Sequence, residues 1–284
     1  MSDYYGFFAR GNAGNLIIGP DHPVLAQYFG GDIKVTHLPA NKYNAQGTAS
    51  CLVSYGRTFT TQHPPMVFAV PNLKFEGGAI GRFSHIGVPG AWTGFRVIFI
   101  TSIRYTHGEF DYRYAASIGQ STGWSYRVCG FEAPESDDEW GMRVWDAKGK
   151  LIFDSGWAIT PFRGLLKDWQ QAGGGYYQTV PYWGESFWNS TQIDDANRYG
   201  LYRHAWGARD GEMGILLSQL CTMVVMADTG DKNTRIKTIP MIGFENMERT
   251  HISCSLAYGT IQHAGTAGPA LNNFGLLTAD FSRT

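Results

Sequence analysis

Charge is scarce in this sequence and neither sign is in excess: Asp, Glu, Lys and Arg supply 17% of the residues and the net charge is -1. A chain that neutralised nucleic-acid phosphates would carry a basic stripe or a recognisable motif, and neither is present, so nucleic-acid binding is set aside. Long apolar runs are missing too. The most apolar stretch, residues 214–227, GILLSQLCTMVVMA, falls short of the roughly 20 residues that span a bilayer. It also carries Ser218, Gln219 and Thr222, so it reads as core and no membrane insertion is expected. The opening MSDYYGFF has no basic region followed by a continuous apolar one, so no secretory signal is read there. Cys51, Cys129, Cys221 and Cys254 form no CxxC pair; reduced, buried thiols are expected, with a pairing left open.

Catalytic signatures are missing as well. There is no GxGxxG after a strand, no P-loop, HExxH, GxSxG or EF-hand loop, so no catalytic residue, metal or cofactor is assigned and a non-enzyme is expected. The eight histidines are scattered. His107, Glu109 and Asp111 would share one face of a strand, which reads as an exposed polar face before it reads as a metal site. Glu135, Asp137, Asp138 and Glu139 read as a solvated bend, because glycosidase carboxylates must face each other across a cleft.

What is abundant favours β-structure. The 36 Gly, 12 Pro and 14% aromatic residues suit short strands and many turns. Residues 49–59 alternate, placing Cys51, Val53 and Tyr55 on one face, and residues 66–70, MVFAV between prolines, read as a buried strand of a sandwich before they read as a helix. Residues 90–100 form the strongest strand, partly echoed at 123–131. Residues 20–44 read as loops with one short strand at 33–35, and residues 163–171 as a short helix stopped by Gly173. The Gly/Ala-rich tail is expected to dock elsewhere rather than form core. Successive strands without helical periodicity predict antiparallel, jelly-roll-like sandwiches.

Residues 140–156, WGMRVWDAKGKLIFDSG, form the clearest hairpin. Trp140, Met142 and Val144 alternate as if to one buried face, Asp146 to Gly149 turn the chain, and Leu151 to Phe153 return. Laying Tyr5 on Trp140 aligns the opening of the chain with this hairpin without a gap, matching Gly6 to Gly141, Gly14 to Gly149, Leu16 to Leu151 and Ile17 to Ile152. An offset of 135 residues exceeds the roughly 20–50 of a solenoid repeat and suits a domain. With 284 residues, two tandem β-sandwich domains are expected, 1–135 and 136–284, the second holding an insertion at about 173–211.

That insertion is rich in Tyr and Trp among Asn, Gln and Asp. Such rings stack on sugars or anchor protein contacts, the alternative being that they fill a second core. Tyr182, Trp183, Trp188 and Tyr202 are the candidate contact residues.

Trp140-Gly141, Val144, Asp146, Gly149, Leu151 to Phe153, Asp154 and Ser155 resemble a segment that opens a small β domain in tailed-bacteriophage tail proteins. Residues 92–97 resemble a later part of it; the N-terminal copy departs, with Ala9, Gly11 and Gly19-Pro20 at the Val, Asp and Asp-Ser positions. The resemblance implies a fibre, tip or baseplate component made in the host cytoplasm and carried in the virion. Its implied partners are copies of itself, other tail proteins, and a surface glycan or outer-membrane receptor of the host. The competing reading is a carbohydrate-binding protein or glycan-cleaving enzyme on a β-sandwich.

Overall fold

A computed structural model describes residues 9–10, 16–18, 24–38, 48–72, 79–100, 104–106, 109–111, 117–131, 133–146, 148–171, 201–206, 213–220, 226–228, 235–244, 251–258 and 275–281. Among these the fold is all-β, with one 3₁₀ turn, Leu217–Leu220, and no α-helix. The strands of the first half are β1 (Ala9–Arg10), β2 (Leu16–Ile18), β3 (Ala26–Lys34), β4 (Thr48–Phe59), β5 (Met66–Pro71), β6 (Ala79–Val88), β7 (Ala91–Ile100), β8 (Arg104–Thr106), β9 (Glu109–Asp111) and β10 (Ser121–Gly130). Those of the second half are β11 (Arg143–Trp145), β12 (Leu151–Asp154), β13 (Phe162–Leu166), β14 (Gln170–Gln171), β15 (Leu201–Ala205), β16 (Met213–Leu216), β17 (Met226–Asp228), β18 (Arg235–Phe244), β19 (His251–Tyr258) and β20 (Leu276–Asp280).

Every pairing is antiparallel. A six-stranded sheet runs β13-β20-β16-β5-β10-β3, and a larger one runs β14-β15-β19-β18-β6-β7-β4 with β17 beside β18. The two share one core. Val67, Ala69, Trp124, Val128 and Ile215 of the first sheet pack with Cys51, Val53, Phe95, Phe99 and Ile242 of the second. The outer face of the six-stranded sheet carries its own cluster, in which Phe68, Val70 and Cys129 meet Leu216, Ala279 and Phe281.

This explains why residues 66–70 are apolar at every position. Val67 and Ala69 enter one cluster and Phe68 and Val70 the other, as expected of a strand buried on both faces. β4 alternates instead, with Cys51, Val53 and Tyr55 buried and Leu52 and Ser54 exposed.

The strand pairings run across residues 135/136. β5 lies between β10 and β16, with Ala69 opposite Ile215 and Phe68 opposite Leu216. In the larger sheet β6 joins β18, Ile80 facing Ile242. Both sheets thus take strands from either side of 135/136.

Three local expectations also fail. The helix expected over 163–171 is β13 and β14, because residues 162–166 hydrogen-bond along β20 and Asp168 turns the chain at φ 61. Asp tolerates that left-handed backbone better than most residues. The strand expected at 33–35 is the nine-residue β3, paired with β10 across Gly30 and Gly31, which carry no side chain to show a period. The described end of the tail, 275–281, is core, while its Gly/Ala-rich part lies outside the described residues: β20 lies between β13 and β16, and Leu276, Ala279 and Phe281 are buried.

Candidate interaction surface

The hairpin of β11 and β12 is a separate two-stranded sheet. Its turn is set by Asp146, whose Oδ1 accepts the backbone N–H groups of Lys148 and Lys150, both at 2.8 Å. Those bonds, Lys150 first, lower the Asp146 pKa, with burial opposing. Gly149 takes φ 79, the left-handed conformation that only glycine adopts without strain.

At the base of the hairpin Asp154 is buried, 2% exposed, and its carboxylate is a hub. It accepts the backbone N–H of Ser136 at 2.9 Å and of Gly156 at 2.8 Å, the Ser136 hydroxyl at 2.9 Å and the Arg143 Nε–H at 3.0 Å. Burial works against the charged form, but these donors outweigh it and hold the Asp154 pKa down at about 2. Arg143 also reaches the carbonyls of Ser136 and Asp138 and the Glu135 carboxylate. Ser155 closes the other side, its N–H donating to the Met142 carbonyl while its Oγ accepts the Met142 N–H. Gly141, at φ 155, lies against this hydroxyl, and a β-carbon there would fall onto Ser155 Oγ.

The residues immediately C-terminal to the hairpin tie it to the six-stranded sheet. Trp157 is buried against Ala26 and Ala133 and donates to the Pro134 carbonyl at 2.7 Å. Residues 158–160 then run along β3, with Gln27 N–H to Ala158 O and Thr160 N–H to Leu25 O.

Ile152 and Phe153 are buried, so the hairpin buries its return strand. The expected buried face across Trp140, Met142 and Val144 is not formed: Trp140 is 89% exposed and Met142 42%, with Val144 half-buried, and Trp145, outside that alternation, is 51% exposed. These apolar side chains sit between two charged ends. Asp137, Asp138 and Glu139 are exposed just before Trp140, and Lys148 and Lys150 are exposed at the turn.

The N-terminal echo has the same backbone register. Ala9 pairs Ile18 and Arg10 pairs Leu16, while Val144 pairs Phe153 and Trp145 pairs Leu151. At the offset of the sequence alignment these pairs coincide, and in each hairpin the register slips by one residue, leaving Ile17 and Ile152 as equivalent extra residues on the return strand.

Of the contact residues expected in the insertion, Tyr182, Trp183 and Trp188 lie outside the described residues. Tyr202 is described only in its backbone, within β15, opposite Gln171 and Cys254. At the edges of this region Trp169 and Trp206 are buried in the main core, and Trp169 meets the His204 ring edge-on at 5.7 Å. His107 lies outside the described residues. Among those described, no group of three or more His, Cys, Asp or Glu is placed to hold a metal, and no helix is long and apolar enough to cross a membrane.

Other titratable groups are occupied with structure. The Cys51 and Cys129 thiols are free and buried, which pushes each up to about 12. His85 lies 3.2 Å from the Tyr55 hydroxyl, edge-on to Phe83, and burial pushes its pKa down to about 4.

Alternation over 140–144 does not tell burial from exposure; the acidic run directly before Trp140 is the signal in the sequence for a wet face. The chain matches no family model, no curated protein and no solved structure.

Proposed function

We propose that this protein is a structural, non-enzymatic component of a bacteriophage tail, of the fibre, tip or baseplate type, working in tail assembly and host attachment. The observation that carries this reading is the hairpin at 140–156. The residues of its resemblance to tail proteins, Gly141, Asp146, Gly149, Asp154 and Ser155, are those that turn and anchor it, and it leaves two tryptophans exposed. A structural core alone gives no reason to leave tryptophan at 89% exposure, whereas an assembly contact does. In this reading the units 1–135 and 136–284 are a tandem origin preserved in the paired hairpins, and the aromatic insertion at 173–211 supplies a contact to a host glycan or a neighbouring subunit through Tyr182, Trp183, Trp188 and Tyr202. No cofactor, nucleic acid or membrane insertion takes part.

The test is mass spectrometry of purified particles together with gold-labelled antibody. Particles should contain the protein and carry the label on the tail. A protein found free in the lysate and missing from particles would overturn the reading.

A further inference from the structure

We infer that Arg57 is a binding site for the carboxylate of a small organic acid, one whose body is a ring that rests on the aromatic surface beside it. The site lies where β3 and β4, the terminal strands of the two sheets, approach each other, and it does not depend on the tail reading.

Two irregularities of the backbone build it. β3 carries one residue more than β10 between Gln27 and Phe29, so the consecutive rings of Tyr28 and Phe29 both turn towards Phe59 of β4 instead of alternating. β4 bulges as well: it runs from Ser54 to Phe59 while β7 advances only from Gly94 to Trp92, and Gly56 turns the chain at φ 68. Between these bulges the Arg57 guanidinium lies over three rings, 4.3 Å from the Phe59 centroid, 4.9 Å from that of Tyr28 and 5.9 Å from that of Phe29.

Rings engage a guanidinium by its flat face and leave the N–H donors in its plane uncommitted. Arg143 and Arg163 donate to Asp154 and Asp280, Arg96 to the Ser50 hydroxyl and Arg127 to the Tyr126 carbonyl. Arg57 is exposed, and among the described residues no oxygen accepts from it. Its planar fork fits a carboxylate through two parallel hydrogen bonds, and its single charge matches a monoanion. A phosphate dianion calls for a second cation, and Arg127 lies over Gly30 instead, where an added β-carbon would meet its Cδ. Tyr28 and Phe29 are only partly buried, so ring surface stays wet beside the guanidinium and a ring next to the carboxylate gains stacking as well. Sugar acids and aromatic acids both have this form. One exposed pair is weak, so dissociation constants on the order of 1–10 mM are expected.

The test is nitrogen-15 NMR of the full chain, following the Arg57 Nε–H signal, assigned by its loss in Arg57→Gln. Sodium galacturonate and sodium benzoate are each added to about 50 mM, with galactose and with sodium chloride at matched ionic strength as controls. At least one acid should shift the signal saturably. The shifts of neighbouring ring protons should follow it, vanish in Arg57→Gln and weaken at least about threefold in Arg57→Lys, which keeps a cation over the rings but loses the fork. Arg57 is exposed, so an unchanged circular dichroism spectrum confirms the fold of both variants. Tighter binding of galacturonate identifies a sugar acid and tighter binding of benzoate an aromatic one, and either supports the site. No saturable shift with either acid overturns the inference. So does an equal shift with galactose or with chloride, and so does binding that survives in Arg57→Gln.

Discussion

The two hairpins, at 9–18 and 143–154, close in one register but are built from different residues. In sequence both carry a glycine followed by Leu-Ile at matching positions, Gly14 with Leu16 and Ile17 in one and Gly149 with Leu151 and Ile152 in the other. The anchoring residues differ. Where the second has Arg143, Asp146, Asp154 and Ser155, the first has Phe8, Gly11, Gly19 and Pro20. Register therefore goes with what the two sequences share, the Leu-Ile return strand among it, whereas the Asp154 hub is an addition that fixes the second hairpin to the segment before it.

The largest effect should come from outside both hairpins. Trp124 is fully buried in the core shared by the two sheets, and Trp124→Ala should cost about 4 kcal/mol. Because strands from both halves share each sheet, calorimetry should show a single transition moving down. Two separable transitions would show a division near 135.

Next comes Asp154→Ala, which strands the Ser136 and Gly156 N–H groups and should cost about 3 kcal/mol by thermal or urea unfolding. A loss under about 0.5 kcal/mol would mean that the second hairpin, like the first, needs no carboxylate. Acid sharpens the contrast between hairpin and core. Asp154 holds a pKa of about 2 against an ordinary 3.8, so its contribution is present above pH 3.8 and disappears as pH falls towards 2. His85 holds about 4 against an ordinary 6.5, so the unfolded chain takes up its proton first and stability is lost as pH falls from 6.5 to 4. His85→Gln should remove only the upper window of the stability profile, and Asp154→Asn only the lower one.

Gly141→Ala meets both a glycine-only backbone and the Ser155 hydroxyl, and should cost about 2 kcal/mol. Gly149→Ala meets open space and only the backbone term, about 1 kcal/mol. Equal losses would show that Ser155 yields. The smallest effect is Trp140→Ala, within about 0.5 kcal/mol by the same unfolding measurement, since that ring is exposed.

The strands that were legible in the sequence carry their reason in their own side chains. β4 alternates, β5 is apolar throughout, and the turn at Asp146 to Gly149 uses residues that can do little else. What was not legible depends on distant partners. β3 is held by β10 across two glycines, and β13 is held by β20 against a local pattern that suits a helix. The sharing of sheets between halves rests on β5 meeting β16 and β6 meeting β18, pairings between segments more than a hundred residues apart. At the hairpin, alternation located the strand but not its wet side, because Arg143 is drawn to the buried Asp154 while Trp140 turns outward.

The place of β20 governs how the protein can be made. Its neighbours β13 and β16 emerge from the ribosome well before it, and each presents an open backbone edge towards the gap that β20 fills. Until residue 281 has cleared the exit tunnel, Phe68 and Leu216 lack the Phe281 and Ala279 that cover them, so this sheet cannot finish folding vectorially. Synthesis up to β16 thus leaves an intermediate with open edges, and the yield of soluble protein should depend on chaperones that hold such edges apart until β20 arrives.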